Sequence, residues 1–167
     1  MSSRALKALA SGLGVVALTA TVLVQPWEGK ENHAYRDIVN VLTICYGETQ
    51  GVKPGDYKTD AQCEQMVIDR LEKDYYQPLL KCTPGYLKAP KGLQASLLSA
   101  SYNVGVRALC TSTAVKLTAR KRYEEACHAV TRFNKAGGKV IRGLKLRREY
   151  GDKTRIGELE LCLASLK

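Results

Sequence analysis

Between Lys7 and Glu28 the chain carries no charged side chain, and this gap constrains its folding more than any other feature. The uncharged stretch, Ala8 to Trp27, is twenty residues long. As a helix rising about 1.5 Å per residue it would reach about 30 Å, the thickness of a bilayer's hydrocarbon core. Two arrangements suit such a stretch: a single membrane crossing, or a helix buried in a soluble protein. The terminal position and the preceding Arg4 and Lys7 favour the crossing, with Met1 on the cytoplasmic side and the body translocated. Nine of the twenty residues (Ala8, Ala10, Ser11, Gly12, Gly14, Ala17, Thr19, Ala20, Thr21) are small or weakly polar, so insertion should be marginal and reversible beside a leucine-rich span. The following Val22, Leu23, Val24, Gln25 and Pro26 lack the small-residue pattern of a signal-peptidase site, so the segment is expected to be retained, with Trp27 at the interface.

The sequence therefore divides into an N-terminal segment, 1–27, and one globular unit, 28–167, long enough for a single sizeable core. A net charge of +10 and a pI near 9.4 imply attraction to polyanions: nucleic acid, anionic lipid or an acidic cell-wall polymer. The basic clusters Arg120, Lys121, Arg122 and Lys145, Arg147, Arg148 lack interleaved aromatics, and zinc-finger spacing is absent, which argues against nucleic acid. The six cysteines are scattered, with no CxxC pair and only His33 and His128 to join them. That pattern suits disulfides in an oxidising compartment or buried thiols rather than zinc, and connectivity stays open at this level. No metal or cofactor is expected.

Hydropathy and turn signals predict a mainly helical α+β domain. The β-branched run from Ile38 to Tyr46, ending at Gly47, reads as a small β-hairpin that would place Asp37 and Thr43 on strands. Thr59 and Gln62 form a capping-box signature for a helix carrying Cys63, Met66, Val67, Leu71 and Tyr75 up to Pro78. Further helices are expected from Gly92 to about Gly105, from Tyr123 through Phe133 with Gly137 and Gly138 closing it, and from Ile156 to Leu166. This makes one small sheet near the N-terminus and helices elsewhere.

Directly after the apolar segment stand Glu28, Asp37 and Thr43. Cleaving a sugar acetal requires a carboxylic acid to protonate the leaving oxygen, and an opposed carboxylate and hydroxyl to hold or activate water. The trio supplies those groups. Its setting, E-G-x5-Y-x-D-x5-T-x2-Y-G-x-T on Glu28, Gly29, Tyr35, Asp37, Thr43, Tyr46, Gly47 and Thr49, resembles the bacteriophage lysozymes. Residues 102–113 (YNVGVRALCTST) are similar to that family's Asn-x-Gly helix junction, with Asn103, and FNKAGGKVIRGLKLRRE from Phe133 to Glu149 to its C-terminal signature.

The resemblance implies a two-lobed lysozyme fold and a muramidase that hydrolyses the β-1,4 bond between N-acetylmuramic acid and N-acetylglucosamine in peptidoglycan, lysing the bacterial host at phage release. It makes Glu28 the general acid, Asp37 the opposing carboxylate and Thr43 the water-positioning hydroxyl. Tyr35, Tyr46, Gly47 and Asn103 would support them, and Arg147 or Arg148 would face the glutamate. It also pairs Cys82 with Cys110 and implies a monomer. The weakly apolar start is similar to the signal-anchor-release endolysins, implying a single-pass protein of the host inner membrane, held through residues 8–27 and then freed into the periplasm. Cys45, two residues from Thr43, is then a candidate for redox tuning on release.

Three departures stand out: Glu48 where histidine is common, Asn40 and Leu42 where glycine and an aromatic are common, and an apparent insertion, YGDKTRIG, at 150–157. They bear on the support of Asp37 and on C-terminal packing. A membrane-anchored basic protein that binds murein or disrupts the bilayer without hydrolysis is the rival reading, and it needs no Glu28.

Overall fold

A computed structural model describes residues 2–167. In it the uncharged N-terminal stretch is folded into the body. Ser2 caps helix α1 (Ser3–Leu9) by accepting the Ala5 N–H. The small residues that weaken the stretch as a span also interrupt it as a helix, and Gly12 turns the chain at φ +75°. A short helix, α2 (Val15–Leu18), then runs into a wider π-type stretch, Thr19–Val24. No helix among the described residues is long and apolar enough to cross a membrane. Leu18, Ala20, Leu23 and Val24 are instead fully buried in the protein.

The first sheet pairs β1 (Glu31–Arg36) with β2 (Leu42–Cys45) antiparallel, Tyr35 opposite Thr43 and Arg36 opposite Leu42. The hairpin thus begins earlier than the β-branched run suggested, and Asp37 lies in its turn rather than on a strand. The Asp37 carboxylate supplies the reason: Oδ1 accepts the N–H groups of Val39 and Val41, an Asx-type turn that outcompetes strand propensity. Asn40 takes φ +65° in that turn, a conformation asparagine tolerates better than most residues, which accounts for its place where glycine is common.

Helix α3 (Asp60–Arg70) starts at the expected Thr59–Gln62 capping box. It runs on through a π-type stretch, Leu71–Tyr76, into α4 (Gln77–Cys82), which ends four residues past the expected stop at Pro78. Pro78 directly follows the π-type stretch, where the widened turn already interrupts the regular hydrogen-bond ladder that proline cannot join. The central helix α5 (Lys91–Val104), buried along most of its length, ends at Gly105 as expected. Helices α6 (Val106–Cys110), α7 (Thr113–Ala119) and α8 (Tyr123–Val130) follow.

The α8 helix stops at Val130, short of Phe133. Gly137 and Gly138, at φ +55° and +78°, turn a second hairpin, β3 (Lys135–Ala136) with β4 (Lys139–Val140), rather than closing the helix. The domain therefore has two small sheets where one was expected. The last helices are α9 (Arg142–Arg148) and α10 (Glu158–Ala164). Packing of α10 and the Thr19–Val24 stretch on α5 builds the helical body. A Cβ on Gly92 would lie 2.3 Å from the Leu161 carbonyl oxygen, so glycine permits the close approach of α5 and α10. All six cysteines are paired: Cys45–Cys63, Cys82–Cys110 and Cys127–Cys162. The pairing of Cys82 with Cys110 is the one the resemblance implied. Cys45, for its part, ties β2 to α3.

Candidate active site

Glu28 follows directly from the apolar segment and is held by it, its amide donating to the Val24 carbonyl at 3.0 Å. Its carboxylate lines a cleft of about 190 Å³ with Tyr46, Gly47, Arg70, Tyr75, Tyr102 and Asn103. The hairpin contributes one wall through Tyr46 and Gly47, and α5 another through Tyr102 and Asn103. The Tyr102 hydroxyl donates to the Tyr46 carbonyl at 3.0 Å and joins the two walls. Burial, reinforced by the negative charge of Glu28, pushes the Tyr102 phenol up to about 12, so it remains a neutral donor at any working pH.

The RRE signature divides its labour. Arg147 Nη1 donates to Glu28 Oε1 at 2.6 Å, so Arg147 is the arginine that faces the glutamate. Arg148 is fully buried; it donates to Asn103 Oδ1 at 2.5 Å and pairs with Glu158. Glu158, also fully buried, further accepts from Ser99 Oγ at 2.7 Å and lies 3.8 Å from Arg147 Nε. One carboxylate thus stands beneath both arginines, one of which holds Glu28 and the other Asn103. A third charged pair, Arg70 Nη1 with Glu48 Oε1 at 2.8 Å, fastens the hairpin's end to α3. The glutamate found where histidine is common is therefore a strut between hairpin and helix, its Oε1 accepting from Arg70 and from the Thr49 and Gln50 amides.

Of the residues read from sequence, Glu28, Tyr46, Gly47 and Asn103 share the cleft, with Arg147 and Arg148 behind them. Asp37 and Thr43 stand on the hairpin outside that lining. The Asp37 Oδ1 atom is committed to the turn, and the Thr43 hydroxyl, nearly buried, donates to the Val41 carbonyl at 3.1 Å. Tyr35 is exposed across from Thr43. Sequence reading missed Arg70, Tyr75 and Glu158. No local spacing marks them, because α3, its π-type extension and α10 meet the cleft or its underside only in the folded chain. Tyr102 lay within the quoted helix junction without an assigned part.

The family model for phage lysozyme matches residues 25–150 of this chain. The chain belongs to the phage lysozyme family. An endolysin of Pseudomonas phage phiKMV, named as a SAR-endolysin, is 40% identical over 164 residues, covering 93% of this chain and 88% of that relative. The SAR-endolysin of Enterobacteria phage P21 is 32% identical over 170 residues, covering 97% and 96%. Among solved structures, the active form of the P1 phage endolysin Lyz superposes with a TM-score of 0.76 at 23% identity, over 96% of this chain and 92% of that one, a likeness of fold. An endolysin from an Escherichia coli O157:H7 phage, FAHEc1, gives 0.72 at 26% identity, over 87% and 90%. This phage lysozyme is a mainly helical α+β protein carrying two small antiparallel sheets.

Proposed function

We propose that this phage lysozyme is an endolysin that hydrolyses the β-1,4 bond from N-acetylmuramic acid to N-acetylglucosamine in peptidoglycan. The carrying observation is the Glu28 carboxylate, anchored by Arg147 at 2.6 Å on the wall of a cleft between hairpin and helical body. A sugar bridging that cleft presents its glycosidic oxygen to Glu28, which donates the proton the leaving group needs. Arg147 then neutralises the carboxylate left behind and fixes its direction. Asp37 supplies the opposing charge for the oxocarbenium-like transition state through Oδ2, the oxygen its turn leaves without a protein donor among the described residues. With its proton committed to Val41, the Thr43 hydroxyl offers lone pairs that orient the attacking water.

Product analysis tests the reading. Digested murein should carry new reducing ends at muramic acid, and Glu28→Gln should lose about 10² or more of the clearing rate. An anhydro-muramic product would mean transglycosylation. Equal clearing by parent and Glu28→Gln would favour the non-hydrolytic binder.

We further propose that the protein is first held in the host inner membrane through residues 8–27 and then released to the periplasm, where the segment takes the place seen here. The flank of Arg4 and Lys7, the weak apolar character of the stretch and the names of its relatives support this. The three closed disulfides suit an oxidising compartment.

A further inference from the structure

The loop 150–157 between α9 and α10 grips the N-terminal segment at both ends. At the front, Arg4 Nε and Nη2 donate to the two carboxylate oxygens of Glu160, each at 2.8 Å. Arg4 Nη1 and Nη2 also donate to the carbonyls of Asp152 at 2.6 Å and Tyr150 at 3.1 Å. At the rear, Trp27 Nε1 donates to the Ile156 carbonyl at 3.0 Å, and the Arg155 guanidinium lies 3.9 Å over the indole. The loop is shaped for this. Asp152 Oδ1 caps Thr154 and Arg155, and Oδ2 pairs with Arg155. A Cβ on Gly151 or Gly157 would lie 2.0 Å from the Arg155 carbonyl oxygen or 2.1 Å from that of Glu149. Glu160 itself is only 5% exposed at its side chain, which makes it a formed acceptor rather than a surface charge.

We propose that residues 150–157 together with Glu160 are the docking surface for the N-terminal segment as it leaves the bilayer, and that Arg4 and Trp27 are the groups it reads. This rests on the release reading above. Geometry makes the surface selective. As an unbroken helix, Arg4 and Trp27 would stand about 35 Å apart, whereas eight fully extended residues reach only about 27 Å. The loop can hold both ends only after the stretch has broken at Ser11–Gly14 into the two short helices seen here. Its front also selects for arginine: one bidentate carboxylate and two carbonyls match a planar fork of donors, which an ammonium cannot fill. The cation that keeps the front of the segment cytoplasmic in the tethered state becomes, once released, the group that locks the segment into the enzyme.

Trp27 is the sole tryptophan and reports on the lock directly. The full-length protein and its Glu160→Gln, Arg4→Lys and Arg155→Ala variants would be compared by acrylamide quenching of Trp27 in buffer, and by partitioning into phosphatidylethanolamine–phosphatidylglycerol vesicles. Glu160→Gln and Arg4→Lys should each raise the vesicle-bound fraction about tenfold, the loss of a charge-assisted pair. Both, with Arg155→Ala, should make Trp27 more accessible in buffer. Arg155 is partly exposed and outside the core, so its variant also guards against a general loss of folding. Parent-like quenching and partitioning in all three variants would overturn the proposal. Neither readout needs bond cleavage. Should the parent not enter vesicles, the tether reading fails, while quenching in buffer still decides whether the loop holds the segment.

Discussion

Replacing Glu158 by glutamine keeps the side chain's shape and removes the one negative charge shared by two buried arginines. Arg148 and Glu158 are both fully excluded from solvent, and Arg147 is 6% exposed at its side chain. Water therefore cannot rescue the guanidiniums as it would at the surface. Removing one partner of such a buried pair leaves an uncompensated charge and costs about 3–5 kcal/mol. For a chain of this length, where 1 kcal/mol corresponds to about 2–4 °C, the midpoint should fall by roughly 6–20 °C. Activity should drop beyond what unfolding explains, because Arg147 holds Glu28 and Arg148 holds Asn103. Thermal and urea denaturation at neutral pH, together with murein clearing measured well below the lowered midpoint, provide the check. A variant within about 0.5 kcal/mol of the parent and equally active would show that Glu158 is not the shared counter-charge, and the account of the arginine pair would be wrong.

Other expectations follow from the same geometry. Gly92→Ala drives a methyl against the Leu161 carbonyl and Ser165, and should cost about 1–3 kcal/mol in urea unfolding; a neutral result would mean α5 and α10 separate easily. Opening Cys127–Cys162, whose residues are 35 apart in sequence, by a double alanine change should cost about 3–4 kcal/mol, against an unchanged urea midpoint if the link carries nothing. For Glu160, burial raises the carboxyl, but hydrogen bonds from Arg4, Ser2 and the Gly157 amide outweigh it and leave it below its ordinary value. A lowered value in the fold means stability that is present above the unfolded value, about 4.3, and is lost as pH falls through the folded one. The acid limb of the stability–pH curve should therefore flatten in Glu160→Gln, and an unchanged limb would contradict the pairing with Arg4.

Much of the helical body was legible because its signals are local: the Thr59–Gln62 cap, the apolar rhythm of α5 and its glycine stop require no knowledge of distant residues. The family resemblance named Glu28, Asn103 and the arginine pair, which the fold brings together, and also Asp37 and Thr43, which stand outside the cleft lining. The division between Arg147 and Arg148 was not legible, since adjacent residues on α9 differ only in what the fold sets against each. The hairpin was misplaced because β1 is polar, ENHAYR, and lacks the alternation that betrays a strand, while the β-branched Ile38 and Val39 are spent on an exposed tip. Hydropathy read the first 27 residues for lipid. The same residues satisfy a protein core, and no property of the stretch alone separates the two surroundings.

On the release reading proposed above, the segment occupies bilayer and enzyme in turn, and that succession limits how it can vary. Leu18, Ala20, Leu23 and Val24 must fit a shaped interior as well as a fluid one, so their volumes are fixed. Ser11, Leu13, Gly14 and Thr21 face water in the enzyme, leaving them free to drift in polarity. On that reading the timing of release is open to adjustment at the exposed positions, a methyl or hydroxyl at a time, provided the break at Ser11–Gly14 is kept, with no buried contact of the enzyme altered.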